Sequence, residues 1–255
     1  MEHLILEVVD GLATLTINRP AARNALALQT MAELDEAIDL ARRERARVLI
    51  IRGSGTKAFC AGGDLKELEQ MRSEEDAAAM AHRMRATLDK IPQLAIPVVA
   101  GLNGDAFGGG AELAIACDFR IMASHARIGF AQINLGLMPA WGASERLAAL
   151  VGRGRALSVL LGGEALDAKL AFALGLVEEV VPKERFDRRL SELGAGIAAA
   201  PAAAVAGIKR SVTAIHPHRS PELADETVEA FARTWADPAH WEAVAKMERR
   251  RRHKT

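Results

Sequence analysis

Apolar and amphipathic stretches alternate along roughly the first 140 residues of the chain. RVLIIRGSG and IPVVAGLNG are continuous apolar runs closed by glycines, which is typical of strands buried on both faces. LILEVVDGLATLTIN contains two β-rich runs around Asp10-Gly11, a dipeptide typical of a tight hairpin turn. RPAARNALALQTMAELDEAIDLARRE predicts a helix, because one helical face carries Leu26, Met31, Leu34, Ile38 and Leu40.

The remaining segments extend this alternation and then end it. SEEDAAAMAHRMRATLDKI predicts a helix capped by Ser73, and TKAFCAGGDLKEL reads as a small-residue loop that runs into a helix. FRIMAS and ARIGF read as short strands. From about Ala143 onward the pattern is helical, with one strand-like break at GLVEEVVP. The pattern therefore predicts an α/β core with parallel crossovers, followed by a helical C-terminal part.

Composition narrows the class of protein. The chain has 255 residues, with 33 Lys plus Arg and 33 Asp plus Glu, so its formal net charge is zero. This balance gives no indication of a nucleic-acid partner. The C-terminal RRRRHK is a local exception, which is either a solvated helix end or a site for a phosphate-bearing ligand.

The cysteines and the N-terminal sequence indicate the cellular compartment of the protein. Cys60 and Cys117 make no disulfide framework and no zinc spacing, so we expect two small core residues and no metal. The start MEHLILEVVD lacks the pattern of a signal peptide, and no apolar stretch approaches the about 18 residues that span a bilayer. We therefore expect a cytoplasmic protein without a membrane partner.

The chemistry-bearing feature is a repeated pattern. In LIIRGSGTKAFCAGGDLKEL and in IPVVAGLNGDAFGGGAELAIAC, a buried strand leads into a glycine-rich turn and then into a helix. Helix N-termini present unpaired N–H groups, and glycine lets a ligand oxygen approach the backbone. Two such ends around one oxygen would form an oxyanion hole. Structural turns or a phosphate site are the alternatives, so the spacing alone predicts only an anion or oxyanion site.

At these loops the sequence resembles a known family. KAFCAGGDLKE, NGDAFGGGAELAIACDFRIMAS and INLGLMPAWGASERL resemble the enoyl-CoA hydratase/isomerase (crotonase) superfamily, and the resemblance covers nearly the whole chain. It implies a ClpP-like spiral of ββα units over residues 1–195, with a C-terminal helical trimerisation region over 196–255. It also implies a homotrimer or a dimer of trimers, an acyl-CoA thioester as substrate, and no cofactor beyond the coenzyme A of that substrate.

The same resemblance assigns binding roles to several residues. The backbone N–H groups of Gly63 and Gly109 would form the oxyanion hole around the thioester oxygen. Plain surface charge is the alternative for Arg23 and Lys57. The residues that the resemblance places along coenzyme A are Arg23, Lys57, Ala58 and Ala61.

Side chains near the two loops distinguish between reactions. Hydratases of the family use two glutamates, of which Glu112 matches the first, whereas the second position reads Gln132 in GFAQINLG. Glutamine can orient a group but accepts no proton at neutral pH. Asp64 either complements a helix dipole or lines the pocket, and Trp141 either lines the acyl pocket or is a core or trimer-contact residue. Glu145 is expected to be a structural residue on a helix surface.

GGGAEL, GLMPAWGASERL and the tail WADPAHWEAVAK resemble the branch that contains the ethylmalonyl-CoA decarboxylases. Decarboxylation needs an oxyanion hole and a proton source but no activated water, which suits Glu112 beside Gln132. Hydration or isomerisation of an enoyl-CoA stays open, as does a non-catalytic acyl-CoA-binding oligomer. His82 and His125 lie in no catalytic pattern, so neither is given a role.

Overall fold

A computed structural model describes residues 1–214 and 221–252 of the chain. The strands are β1 (Leu4–Val9), β2 (Leu12–Ile17), β3 (Val48–Gly53), β4 (Ala58–Cys60), β5 (Val98–Leu102), β6 (Asp105–Phe107), β7 (Phe119–Ala123), β8 (Arg127–Gly129), β9 (Ala165–Asp167) and β10 (Glu179–Val181). The helices are α1 (Leu28–Arg43), α2 (Leu65–Leu68), α3 (Glu74–Gln93), α4 (Gly109–Ala116), α5 (Ala143–Val151), α6 (Arg153–Gly162), α7 (Ala168–Ala173), α8 (Phe186–Ala199), α9 (Ala202–Thr213), α10 (Pro221–Ala236) and α11 (Pro238–Arg252).

Two sheets organise the core. The larger sheet has the order β1-β2-β3-β5-β7-β10, and it is parallel except for the β1–β2 hairpin. The smaller sheet has the order β4-β6-β8-β9, with β8 and β9 antiparallel. The pairs β3–β4, β5–β6 and β7–β8 each place one strand in the larger sheet and the next in the smaller one. This repetition builds the α/β core that the pattern predicted, in the spiral form that the family resemblance implied.

Local signals in the sequence account for several of these elements. Asp10 and Gly11 have φ values of 51° and 82°, and this left-handed pair closes the β1–β2 hairpin as the Asp-Gly dipeptide predicted. The Oγ of Ser73 accepts a hydrogen bond from the N–H of Asp76 at 3.0 Å, which confirms the predicted cap of α3. Helix α4 is buried along nearly its whole length, as expected for the apolar run ELAIA.

Three expectations about boundaries were wrong. Leu26 lies before α1 instead of within it, because its backbone is taken up in an isolated bridge to Gly63. The predicted loop before α2 contains β4, since Ala58–Cys60 pairs with β6. The helical C-terminal part contains a further strand, β9, which pairs with β8 through long-range contacts that no local pattern marks.

The C-terminal helices fold back onto the spiral. The Nζ of Lys209, on α9, is buried and donates to the carbonyl oxygens of Ile91 and Ile96 at 2.9 and 2.8 Å, and it pairs with Asp118 at 2.7 Å. Helix α10 packs against α3. The proposed division at residue 195 stays a prediction, and residue 195 lies within α8. The tail RRRRHK begins in α11, but residues 253–255 lie outside the described part of the chain.

Within the described residues, no single helix is long and apolar enough to cross a bilayer. The bent pair Lys183–Ala199 and Ala202–Thr213 passes that test jointly, on length and composition only.

Candidate active site

The first glycine loop presents its backbone through an isolated parallel bridge. The N–H of Leu26 donates to the Gly62 carbonyl oxygen at 2.8 Å, and the Leu26 carbonyl oxygen accepts from the N–H of Asp64 at 3.0 Å. In a parallel bridge these bonds flank the middle residue, so the N–H of Gly63 is directed away from Leu26. Gly62 turns the chain with φ 97°.

The second glycine loop ends at the start of α4. Gly108 is the N-cap, with φ 53°, and Gly109 is the first residue of the helix. The first N–H groups of a helix have no acceptor within it. Among residues 1–214 and 221–252, neither the N–H of Gly63 nor that of Gly109 has a hydrogen-bond acceptor.

These two loops touch each other. A Cβ atom added to Gly62 would lie 3.4 Å from the backbone nitrogen of Gly109 and 2.9 Å from the carbonyl oxygen of Phe107. The structure therefore brings the two glycine loops into contact, with the candidate donor Gly109 beside Gly62, the neighbour of the other candidate donor Gly63. The helix dipole of α4 adds positive potential at the same place.

The glycines of the second loop also have a packing role. A Cβ on Gly109 would lie 2.1 Å from the ring of Trp141, and a Cβ on Gly110 would lie 2.2 Å from the carbonyl oxygen of Cys60. Real Cβ atoms do not approach that closely. Glycine is therefore required here so that the start of α4 can contact both β4 and the indole ring.

Glu112 lies one helical turn beyond this site, and its side chain is buried, with the residue only 2% exposed. Its Oε2 accepts hydrogen bonds from the backbone N–H groups of Trp141 at 2.8 Å and Ala143 at 3.2 Å. Its Oε1 accepts from the Nε2 of Gln132 at 3.0 Å. Burial raises the pKa of Glu112 to about 7, against the opposing effects of these hydrogen bonds and of the Arg146 charge. Glu112 can therefore both hold and release a proton near neutral pH.

Gln132 lies on a 3₁₀ turn, Ala131–Leu135, that follows β8. Its Nε2 donates to Glu112, while its buried Oε1 accepts no hydrogen bond within the described part of the chain. A buried polar atom without a partner is costly, so this oxygen is available to a hydrogen-bond donor. The structure thus joins Glu112 and Gln132 in one polar pair, as the family resemblance implied.

Comparisons with known proteins decide the family. Residues 7–253 match the family model described as "Enoyl-CoA hydratase/isomerase". The chain belongs to the enoyl-CoA hydratase/isomerase family. It is an acyl-CoA enzyme of that family, with the crotonase fold.

Its relatives carry different activity names. The chain is 40% identical over 186 residues to the crotonyl-CoA hydratase of Syntrophomonas wolfei, covering 72% of this chain and 70% of that protein. It is 32% identical over 241 residues to the ethylmalonyl-CoA decarboxylase of Homo sapiens, covering 93% of this chain and 78% of that protein. A crystal structure of an enoyl-CoA hydratase from Mycobacterium avium subsp. paratuberculosis superposes with a TM-score of 0.87 at 28% identity, covering 96% of this chain and 98% of that one.

Two of the residues expected along coenzyme A are neighbours in the structure. The N–H of Ala61 donates to the Arg23 carbonyl oxygen at 3.1 Å, so these two positions adjoin. The backbone of Arg23 has the left-handed conformation, with φ 53°. Its half-exposed side chain forms an ion pair with Asp105 at 3.3 Å. Lys57 is exposed and Ala58 is buried in β4. Their roles in this family member stay predictions.

Two residues with open interpretations now have defined neighbours. Asp64 is the N-cap residue of α2, where its carboxylate pairs with Arg19 at 2.9 Å instead of capping the helix. Trp141 is 5% exposed and its ring packs on Gly109, so it is buried within this single chain beside the candidate site.

Glu145 differs from its expected place on a helix surface. Its carboxylate forms an ion pair with Arg85, whose guanidinium is buried, and this pairing lowers the pKa of Glu145 despite burial. Sequence reasoning also missed Arg146 and Asp89, which pair at 2.6 Å. The only sequence signal for them was the adjacent opposite charges in ASERL.

The cysteines are buried as expected, and burial raises the pKa of both thiols to about 12, so they stay neutral. His125 contacts the carbonyl oxygen of Thr56 at 3.0 Å, and His82 lies 4.0 Å from Asp225.

Proposed function

We propose that this family member decarboxylates an alkylmalonyl-CoA thioester through an enolate. The observation that carries this proposal is the pairing of one buried carboxyl group, Glu112, with an amide, Gln132, beside two free backbone donors. A carboxyl with a pKa of about 7 supplies a proton, while the amide offers hydrogen bonds without accepting a proton.

The two glycine donors suit the charge that decarboxylation creates. When the bond between the α-carbon and the carboxylate carbon breaks, its electron pair moves onto the thioester as an enolate. The negative charge arrives at the thioester oxygen, where the N–H groups of Gly63 and Gly109 would stabilise it. These donors are fixed by the bridge to Leu26 and by the start of α4, so little reorganisation is needed.

The second half of the reaction consumes a proton. After CO2 leaves, the enolate collapses back to a thioester as the α-carbon takes a proton from Glu112, which is then reprotonated from water. The second hydrogen of the Gln132 amide nitrogen would hold the substrate carboxylate before the bond breaks, because the first is donated to Glu112. The resemblance to the ethylmalonyl-CoA decarboxylase extends over 93% of the chain, which supports this substrate class.

Hydration of an enoyl-CoA is the second candidate. It is favoured by the 40% identity to a crotonyl-CoA hydratase and by the presence of Glu112 at the first glutamate position. Against it stands Gln132, which cannot serve as the second carboxylate that activates the water. Decarboxylation requires no such group, and this is why we place it first.

We also propose that the protein assembles through its helical C-terminal part. Exposed apolar side chains occur within residues 196–255 on α9, at Ile208 and Val212, and on the preceding helices α6 and α7, at Leu157, Leu161, Leu170 and Phe172. Light scattering of the purified protein tests this: the mass of a trimer or hexamer supports it, and a monomer contradicts it.

A panel of CoA thioesters analysed by mass spectrometry tests the reaction. We expect ethylmalonyl-CoA or methylmalonyl-CoA to lose the mass of CO2, with crotonyl-CoA little changed. A gain of the mass of water by crotonyl-CoA, with the malonyl thioesters intact, would assign hydration instead. Thermal stabilisation by CoA thioesters with no mass change would contradict both reactions and leave a binding protein.

A further inference from the structure

Two ion pairs join α3 to the first turn of α5. Arg85 pairs with Glu145, and Asp89 pairs with Arg146 at 2.6 Å. Arg85 and Asp89 are four residues apart on α3, so they lie on one face of that helix, while Glu145 and Arg146 are consecutive on α5. Both guanidinium groups are buried, with 8% of each side chain exposed. We call these two ion pairs the α3–α5 clasp.

The Asp89–Arg146 half of the clasp reaches the turn that precedes α5. The Nη1 of Arg146 donates a hydrogen bond to the carbonyl oxygen of Trp141. A Cβ on Gly142, which has φ 97°, would lie 2.4 Å from that same Nη1. The guanidinium therefore lies directly over the backbone of residues 141–143, and glycine at position 142 leaves room for it.

That short backbone segment carries three parts of the candidate active site. The N–H groups of Trp141 and Ala143 hold the Oε2 of Glu112. The ring of Trp141 packs on Gly109, one of the two candidate oxyanion donors. A shift of this segment would therefore move the carboxyl group and the oxyanion loop together.

We propose that Arg146, oriented by Asp89, is a positioning residue that fixes residues 141–143 and thereby holds Glu112 and Gly109 in register. Its guanidinium contacts Asp89 and the Trp141 carbonyl oxygen, so it would act through residues 141–143. Arginine suits this task because its planar fork can bind a carboxylate and a carbonyl oxygen at once, whereas lysine presents a single compact charge. This role deepens the proposed function and rests on it in one respect, which is that Glu112 is the group that carries the proton.

The charges around Glu112 define what a pH measurement would report. Arg146 faces it from α5 and stabilises its anion. Asp89 lies behind that guanidinium on α3, and Arg85 with Glu145 forms the other half of the clasp.

Gln132 is neutral, and the thiols of Cys60 and Cys117 stay neutral because their pKa values are raised to about 12.

The test compares Arg146→Met, Arg146→Lys and Asp89→Asn with the control Glu145→Gln, which breaks the other half of the clasp. The first readout is an infrared titration of the Glu112 carboxyl, with its band assigned by loss in Glu112→Gln. The second is the pair kcat and KM on whichever thioester the wild type consumes. Thermal melts monitor folding.

We expect Arg146→Met to raise the Glu112 titration midpoint by roughly one unit, because an opposite charge is lost. We expect kcat to fall about tenfold or more with KM little changed, since geometry at the reacting centre is disturbed. Arg146→Lys should have a Glu112 midpoint close to that of the wild type, but its kcat should stay low. Asp89→Asn should lower kcat in the direction of Arg146→Met, while its Glu112 midpoint does not rise, because the Arg146 charge remains and an acidic neighbour is lost. Glu145→Gln should lower the melting temperature alone.

A folded Arg146→Met with the wild-type midpoint and kcat would overturn the proposal. The proposal would also be overturned if Glu145→Gln changed the Glu112 midpoint and kcat as much as Arg146→Met does, because the effect would then belong to the clasp as a whole. If Arg146→Met does not fold, Asp89→Asn decides: a wild-type kcat in that variant overturns the positioning role. If the wild type consumes no thioester, the proposed function fails, while the infrared titration still tests whether Arg146 positions Glu112.

Discussion

The Nε2 of Gln132 donates a hydrogen bond to the Oε1 of Glu112 at 3.0 Å, and both side chains are buried. This contact places an amide where a two-carboxylate site would hold a second acid. It also leaves the Oε1 of Gln132 without a donor among the described residues. If the Gln132 amide rotated so that its oxygen faced Glu112, a protonated Glu112 could donate to that oxygen. Both amide hydrogens of Gln132 would then be available to a substrate carboxylate.

Replacing Glu112 by Gln should remove catalysis while preserving the fold. The amide keeps the shape of the side chain and can still accept from the N–H of Trp141, but it transfers no proton. We expect turnover to fall about 100-fold or more, the usual range for loss of a general acid or base. Turnover of the thioester and the circular dichroism spectrum are the measurements. Near-wild-type turnover would remove Glu112 from the mechanism.

The rate of the wild type should depend on pH through Glu112. Burial raises its pKa to about 7, so the acid form that donates the proton is depleted above that value. We expect kcat for loss of CO2 to be highest on the acidic side and to decline as pH rises through about 7. A kcat profile measured from pH 5 to 9 checks this. A rate that rises with pH through that range would instead indicate a general base.

Replacing Gln132 by Glu should favour water addition to crotonyl-CoA. The change supplies the second carboxylate of the two-glutamate pattern, within hydrogen-bond distance of Glu112. Two carboxyl groups that close do not both ionise readily, so one of the two is held protonated to higher pH. The measurement is hydration of crotonyl-CoA, with Gln132→Met as the size-matched control. Equal hydration by the Glu and Met variants would show that pocket shape, not the missing acid, limits the reaction.

Glu112 should also make stability depend on pH. Its folded-state pKa of about 7 lies above the ordinary value of 4.5, so the folded protein binds the proton more tightly than the unfolded chain does. Stability from this group is fully present below pH 4.5 and is lost as pH rises through about 7. The Glu112→Gln variant has no carboxyl group to lose a proton here. Its free energy of unfolding, relative to that of the wild type, should therefore be higher at pH 8 than at pH 5, by at most about 3 kcal/mol.

Urea unfolding at the two pH values measures that difference. Glu145→Gln is the matched control, because the Glu145 pKa is lowered and its stabilisation is lost only in acid. We expect its deficit relative to the wild type to stay constant between pH 5 and 8. A Glu112→Gln difference that is equally flat would contradict the raised pKa of Glu112.

Replacing Gly109 by Ala, which adds one methyl group, should disrupt the candidate oxyanion loop. The added Cβ would lie 2.1 Å from the Trp141 ring, which must then shift. Such overpacking costs about 1–3 kcal/mol, and we expect turnover to fall more steeply than stability. Gly154→Ala in α6 is the control, because its Cβ would meet nothing within 4 Å. Equal turnover by the two variants would argue against a role for Gly109.

Much of the fold could be predicted because its causes are local. The left-handed Asp10-Gly11 pair and the Ser73 cap act within a few residues, and each is present where its motif lies. The glycine loops likewise marked the turns from which the candidate donors come. Glu112 and Gln132 were paired correctly because the family resemblance carries the relation between distant positions.

The remaining features arise from packing between distant segments. Arg19 pairs with Asp64 across 45 positions of chain, and Arg146 pairs with Asp89 from another helix. No periodicity or motif marks such partners, since each depends on how two elements dock. The need for glycine at position 109 is partly of this kind, because the Trp141 ring that excludes a Cβ comes from a later turn.

The most direct test of the central claim is incubation of the protein with ethylmalonyl-CoA in deuterated water, followed by mass analysis of the thioester. We expect a product that has lost CO2 and gained one solvent deuteron at the α-carbon, with the reaction suppressed in Glu112→Gln. Recovery of intact ethylmalonyl-CoA, while crotonyl-CoA gains water under the same conditions, would contradict it.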